Sequence, residues 1–549
     1  MRGLLLVAAA LAAASAWGQG GASPAAPDAP TPPPATAPSS PPSAAPSSAV
    51  PSSAAAGRAA PASAAPEPVA PRAPALQVAI EAQALATDNA TPDQPNPRAD
   101  LLLTLRPSVG YRRISRGLDI DLEAAVKLIA TARDSQDANA WPDVRARARA
   151  TVLDQWFWLE GAAQWQAVQV DPFTPSPADN PGVNARRQHA LRLSPVLERE
   201  FSARDSVLLR HDMTEASHPT LEDSRFHSRQ TLARLSRKPQ RLGGALEWSR
   251  QESDTDDEEA SRLLLERWQV HGMVEAIDDW VLGAYVGRER SRFFFDDRTD
   301  GVQGLSLRWA PSPRTELDLR AEQRFFGKAG VLDLRHRMPM MSIVLRIARE
   351  PQTSLASLGS LGPGGDVRTL LDGILSTRVP EADERRALVD SLIADRGLTT
   401  RLARPVEWFA AYPQLASTAS VSALLHGVRN TTSLSAFRRT VVALNRDDAV
   451  VPIPAVDDSR QTGVGLRWSR RLSTRLDAET GLQWTRVEGL GLRQGETSDV
   501  KVVRMAVTQR LTPHTQASGG VQYLRTNASG AGRLPYDATT IFFGLKHRL

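Results

Sequence analysis

The chain closes on Thr539–Leu549, TTIFFGLKHRL. In an extended conformation this segment puts Ile541, Phe543, Leu545, His547 and Leu549 on one side and Thr540, Phe542, Gly544, Lys546 and Arg548 on the other. The first side is largely apolar, and something must cover it. A soluble core or a bilayer could do so, and the pattern upstream decides between them.

From residue 76 onward a period of two persists for roughly 10 to 16 residues at a time. In GLDIDLEAAVKL (117–128), Leu118, Ile120, Leu122, Ala124, Val126 and Leu128 oppose Asp119, Asp121, Glu123 and Lys127. TRLDAETGLQW (474–484) sets Leu476, Ala478, Leu482 and Trp484 against Arg475, Asp477, Glu479 and Gln483. VRARARATV (144–152) sets alanines against a ladder of Arg145, Arg147 and Arg149. Strands of a soluble sandwich centre on roughly 5 to 6 residues, whereas a tilted bilayer crossing needs roughly 9 to 11 or more.

The connections alternate in kind. Short ones read FSARDS (201–206), RKPQR (237–241), APSPRT (310–315), RLSTR (471–475) and RLTPHT (510–515). Long polar ones read TDNATPDQPNPR (87–98), VDPFTPSPADNPG (170–182), SDTDDEE (253–259), NRDDAVVPIPAVDD (445–458) and TNASGAGRLPYD (526–537). Short turns on one rim and long loops on the other predict an all-β chain, a large antiparallel transmembrane β-barrel of the bacterial outer membrane over 76–549. The expected strand count is about 22, with about 18 to 20 as the alternative. Even parity through the middle requires turns at Met338-Pro339-Met340 and near Arg429-Asn430. Ile541, Phe543, Leu545 and Leu549 then form the terminal β-signal read by the outer-membrane assembly machinery.

The other end fits export. Met1-Arg2-Gly3, an apolar run from Leu4 to Ala14 and the small-residue pattern Ala14-Ser15-Ala16 predict a signal peptide over 1–16. Residues 17–75, rich in Pro, Ala and Ser, have almost nothing to bury and predict a disordered linker. The chain has no cysteine, which removes disulfides and a lipobox anchor. Its net charge of +5, from 66 basic and 61 acidic residues, points to no nucleic-acid partner.

The period of two breaks between about 351 and 415. There DVRTLLDGIL (366–375) and PEADERRALVDSLIADRG (380–397) have helical spacing, the second with Leu388, Leu392 and Ile393 on one face. Parity places this helical insertion in an extracellular loop, either as a plug or lid over the lumen or as an ornament packed on neighbouring loops.

Motifs for chemistry are absent: there is no GxSxG, HExxH, CxxC or Walker pattern. The nine histidines include no i, i+4 pair, and His211 and His218 fall on opposite strand faces. Neither an enzyme nor a cofactor is expected. Asp254–Glu259 with Asp296, Asp297 and Asp300 could hold divalent ions near lipopolysaccharide, but lacks calcium-loop spacing and reads better as solvated loops. Phe293-Phe294-Phe295, Trp156, Phe157, Trp468 and Trp484 are candidates for the interfacial girdles. Candidate lumen-lining charges are Arg145, Arg147, Arg149, Arg467 and Arg475 with Asp119, Asp121, Glu123, Glu160, Asp477 and Glu479, joined by Arg504, Lys546 and Arg548. They form either cross-strand ladders that stiffen the wall or a path for a charged polymer.

LDLRHRMPMMSIVLRIARE (332–350), HGVRNTTSLSAFRR (426–439), LTPHTQASGGVQYLRTNASG (511–530) and YDATTIFFGLKHRL (536–549) resemble the PEP-CTERM system-associated outer-membrane β-barrel family. That resemblance implies outer-membrane location beside exopolysaccharide and exosortase systems, and no reaction. The expected partners are outer-membrane lipid and lipopolysaccharide, the assembly machinery, and exopolysaccharide or its export components. Two readings follow: a pore or export-associated channel gated by the helical loop, or an occluded structural and docking barrel. A TonB-dependent receptor is a weaker third, because the stretch before the barrel has few large apolar residues.

Overall fold

Long alternating segments have one way to satisfy their backbone in lipid, which is to pair edge to edge until the sheet closes. The computed structural model shows this closure. It describes residues 75–549 apart from 91–95, 175–183, 218–224, 353–366, 399–401, 407–412, 445–457, 531–534 and some shorter stretches. The expected signal peptide and linker lie outside the described residues.

The strands are β1 (Ala75–Thr87), β2 (Asp100–Arg113), β3 (Leu118–Thr131), β4 (Asn139–Leu153), β5 (Phe157–Gln169), β6 (Ala185–Glu200), β7 (Asp205–Ser217) and β8 (Arg225–Arg237). Next come β9 (Leu242–Thr255), β10 (Glu258–Ile277), β11 (Trp280–Phe293), β12 (Asp296–Ser312), β13 (Thr315–Arg324), β14 (Gly327–Met338) and β15 (Met341–Gln352). After helices α1 (Val367–Leu375) and α2 (Ala382–Arg396) follow β16 (Gln414–His426), β17 (Asn430–Ala443), β18 (Ser459–Arg471), β19 (Leu476–Gly489), β20 (Thr497–Arg510), β21 (Thr515–Ser529) and β22 (Tyr536–Arg548). They form one 22-stranded sheet in which each strand pairs antiparallel with the next.

The ring closes where Ala79–Thr87 of β1 pairs with Thr540–Arg548 of β22, and the Leu549 N–H donates to the Val78 carbonyl at 2.9 Å. No sheet edge is left open. The terminal segment is thus the last stave of the wall. Ile541, Phe543 and Leu545 face outward and are exposed, whereas Phe542 faces inward, 3% exposed, with the Arg504 guanidinium 4.1 Å from its ring centroid.

The outward positions around the ring carry Leu103, Leu191, Trp268, Val270, Val286, Leu305, Leu482 and Met505, all exposed. Such a band far exceeds the apolar patches of soluble proteins, and with a closed sheet it requires a bilayer. The protein is an outer-membrane β-barrel. Trp280 and Trp309, 5.3 Å apart, sit at the ends of β11 and β12 beside short turns, as do Trp156 and Trp468, and mark the periplasmic girdle.

One rim carries only turns of two to four residues. The other carries the longer connections, with three exceptions: β9–β10, β11–β12 and β13–β14 turn within two residues there. This corrects two expectations. Acidic residues around 253–259 extend β9 and β10 rather than forming a long loop, and Asp296, Asp297 and Asp300 lie within β12. Arg290 neutralises Asp297 through bonds of 2.9 and 2.7 Å. The side chains of Phe293, Phe294 and Phe295 lie outside the described residues.

Candidate functional site

The helical insertion leaves the wall at the extracellular end of β15 and rejoins it at the start of β16. Between those points it goes inside the barrel. Helix α1 buries Val367, Leu370, Leu371, Ile374 and Leu375, and the wall residues against them are Leu424 of β16 and Val344 of β15, both lumen-facing. Small residues make the approach possible: Ser342 faces the helix at Gly373, where an added Cβ would lie 3.1 Å from the serine Oγ. Ser342 follows directly on the short turn after Met338, so α1 reaches the periplasmic end of the lumen. At its C-terminal end Ser376 Oγ is bonded by Arg337, which also donates to the Pro313 carbonyl in the periplasmic β12–β13 turn.

Helix α2 packs back on α1 through Val389, with Leu392 and Ile393 beside it, and through an Arg385 Nε to Asp372 Oδ1 bond of 2.7 Å. The sequence reading placed Leu388 on this face; it is exposed instead, and the adjacent Val389 takes the buried position. Its outer side reaches the other wall. Asp390 accepts from Arg112 of β2 and from Arg368 of α1. In a ring of 22 strands β2 lies almost opposite β14 to β16, so the two helices bridge the lumen. The chain then climbs along β18. An added Cβ at Gly465 would meet Ala403 Cβ at 2.6 Å, and Gln461 exchanges bonds with the Val406 N–H (2.7 Å) and carbonyl (2.9 Å).

Burial separates the two sides of the lumen. Lumen-facing Ser342, Ser422, Ser433, Ser435 and Phe437 on β15 to β17 are buried. Lumen-facing Asp121, Glu123, Arg147 and Arg149 on β3 and β4 are exposed. The plug therefore fills one side and leaves water against the other.

That wet wall is charged in rows. Register places Arg112, Asp121, Arg147, Ala162 and Arg192 side by side across β2 to β6. The next row toward the periplasm runs Asp119, Arg149, Glu160 and Ser194, and the row above holds Glu123 opposite Arg145. Register opposition does not become ion pairing in the central row: among the described residues, Arg147 and Arg192 have no carboxylate within ion-pair distance. Glu160 instead takes Arg210 at 3.1 Å and the Trp158 indole N–H at 3.0 Å, Arg149 lies 4.2 Å from the Trp158 ring centroid, and Asp119 accepts the Ser115 N–H at 3.1 Å. Arg145 pairs with Asp143 at 3.5 Å. A cavity of about 240 Å³ opens here, lined by six arginines (112, 113, 147, 149, 192 and 386) and three carboxylates (119, 121 and 160).

The remaining candidate charges are elsewhere. Arg467 pairs with Glu479 at 3.4 Å, and Asp477 takes Arg471 at 3.7 Å and Arg510 at 3.3 Å, which ties β18 to β20. Arg475 lies in the exposed turn before β19, outside the strand wall. Sequence reasoning missed Arg112, Arg192, Arg386 and Asp390. It also missed a buried network on the far wall, where Glu289 takes Arg324 and Glu322 takes the Tyr285 hydroxyl at 2.9 Å. Among the described residues no group of three His, Asp or Glu side chains could hold a metal ion.

No protein-family model and no curated protein sequence matches the chain. Among solved structures it is similar to the siderophore receptor PirA from Acinetobacter baumannii, at 8% identity over 86% of this chain and 80% of that one, with a TM-score of 0.43. A ferric enterobactin receptor of Pseudomonas aeruginosa gives 9%, 86%, 81% and 0.42, and the outer membrane protein opdK of the same organism gives 9%, 86%, 99% and 0.33. At these values the likeness carries no functional argument.

Proposed function

We propose that this barrel is a gated channel of the outer membrane whose gate is the α1–α2 hairpin. One observation carries the reading: the hairpin is held to β15 and β16 by a buried apolar cluster but to the β2 wall by the Asp390 to Arg112 contact, and the wall beside that contact is wet and charged. An occluded scaffold has no need of exposed, unpaired charge inside its lumen.

The chain's resemblance to PEP-CTERM system-associated barrels supports service in exopolysaccharide passage or surface handling. Deleting the gene should then lower surface polysaccharide while leaving other outer-membrane barrels at their normal level.

The channel is tested by planar-bilayer recording of the detergent-folded protein with and without residues 353–413. Large conductance steps that appear, or become frequent, on deletion are expected. Silence in both forms, from protein shown to be folded, overturns the channel.

A further inference from the structure

We infer that the lumenal cavity on β2 to β6 is a binding site for a carboxylate-bearing saccharide, seated over Ala162 between Arg147 and Arg192. This rests on the proposed channel only in taking the lumen to be accessible to solute.

Arg147, Ala162 and Arg192 are register partners on three successive strands, so their Cα atoms span two strand spacings, about 9.5 Å. Alanine in the middle contributes no bulk. Two long side chains flanking a methyl group can lean over it and converge on one anion. Arginine suits that task because its planar fork matches a carboxylate with paired N–H donors. Neither guanidinium has a carboxylate of its own among the described residues, so the pair is not already consumed by the wall.

A bare anion site would need no more than this. The same cavity also presents acceptors. Asp121 stands beside Arg147 in the row and Asp119 lies one row below, both lining the cavity. Carboxylates repel an inorganic anion but accept hydrogen bonds from hydroxyl groups. A ligand that gains from both must carry negative charge at one point and several O–H donors within a few ångströms of it. A uronic acid residue of a polysaccharide meets that description. Inorganic phosphate or a small polycarboxylate meets only half of it.

One aromatic residue beside the cavity and the plug bear on the site. Trp158 lies against Arg149, whose guanidinium carbon is 4.2 Å from its ring centroid. Arg386 of α2 also lines the cavity. Asp390, four residues further along α2, is the carboxylate that Arg112 holds at the end of the same row. The chain thus shows a carboxylate bound to this row, supplied by its own plug.

The experiment is isothermal titration of the full, detergent-folded protein with trigalacturonate, at low and high salt, beside maltotriose and inorganic phosphate. Trigalacturonate should bind and weaken with salt, and the neutral trisaccharide and phosphate should bind at least about tenfold more weakly. Arg147→Ala and Arg192→Ala should each weaken trigalacturonate about tenfold or more. Ala162→Glu, which puts a carboxylate in the seat, should abolish binding. Folding of every variant is checked by heat-modifiable migration in gels. Equal binding of the neutral and charged trisaccharides, or of phosphate and trigalacturonate, overturns the inference, as does undiminished binding by Ala162→Glu. If a variant fails to fold, the three-ligand comparison on the natural protein still decides. Binding without conductance would refute the channel and leave the site standing; conductance without binding would do the reverse.

Discussion

Replacing Asp390 by Asn should open the channel, and the structure sets the size of the effect. Asp390 accepts from Arg112 and Arg368 with side chains 28% to 40% exposed, so each pair is partly screened. Exposed ion pairs contribute up to about 1 kcal/mol and hydrogen bonds to charged groups about 1.5 to 3 kcal/mol. A loss of about 1 to 2 kcal/mol on neutralising the shared carboxylate is the reasonable middle. On the other side of the plug five apolar side chains of α1 are buried, each contributing about 1.5 to 3 kcal/mol, or about 10 kcal/mol together. The weak side must let go first. At 1.4 kcal/mol per factor of ten, Asp390→Asn should raise the open fraction in single-channel recordings about 5- to 30-fold. Step amplitude should match the rare openings of the natural protein. High salt should mimic the substitution, because the screening length falls to about 3 Å at 1 M. If Asp390→Asn leaves the open fraction unchanged while Leu371→Ala raises it, the hinge and the latch have been assigned to the wrong walls.

Two further outcomes test the wall itself. Glu289 is 1% exposed and accepts from Arg324, itself 9% exposed, so Glu289→Ala should leave that buried guanidinium with Glu322, 3.7 Å away, as its remaining carboxylate and cost about 1.5 to 3 kcal/mol. The temperature at which the folded gel band disappears should drop clearly, whereas Glu200→Ala at the exposed Lys238 pair should not move it. Phe543→Arg places a charge on the lipid side of the closing strand, at about 2 to 4 kcal/mol near the bilayer midplane, and should cut the yield of assembled barrel in membrane fractions. Phe543→Leu should leave that yield near normal, and equal loss in both would show that the aromatic ring rather than lipid exposure matters.

Much of the wall was legible because alternation is a local property. Leu118 to Leu128 and Arg145 to Arg149 declare their faces within one strand, and Met338-Pro339-Met340 and the turn after His426 fall where parity required them. What lay beyond reach was where the insertion goes. An apolar stripe such as Leu370, Leu371 and Ile374 says that a helix buries one face, but not which surface it meets. A signal was present in the strands: Val344 and Leu424 are apolar at lumen-facing positions, where neighbouring strands carry charge or small polar groups. Apolar residues on both faces of a barrel strand mean that something covers the inside. The arginine site was only half legible for a related reason. Arg147 stood out in its own strand, but Arg192, Arg112 and the gap at Ala162 join it only through register, which spans residues distant in sequence.

The plug is a loop tied at both ends to adjacent strands, and this bears on how the molecule is put together. Helix α1 needs only β14 to β16, which the growing sheet supplies as soon as they pair. The Asp390 contact needs β2, which stands next to the seam where the two ends of the sheet meet. Until β22 joins β1, nothing holds β2 across from β16. The Asp390 to Arg112 bond is therefore a lock that can engage only in a finished cylinder, so a half-assembled sheet carries its gate unlatched and a sealed one closes it.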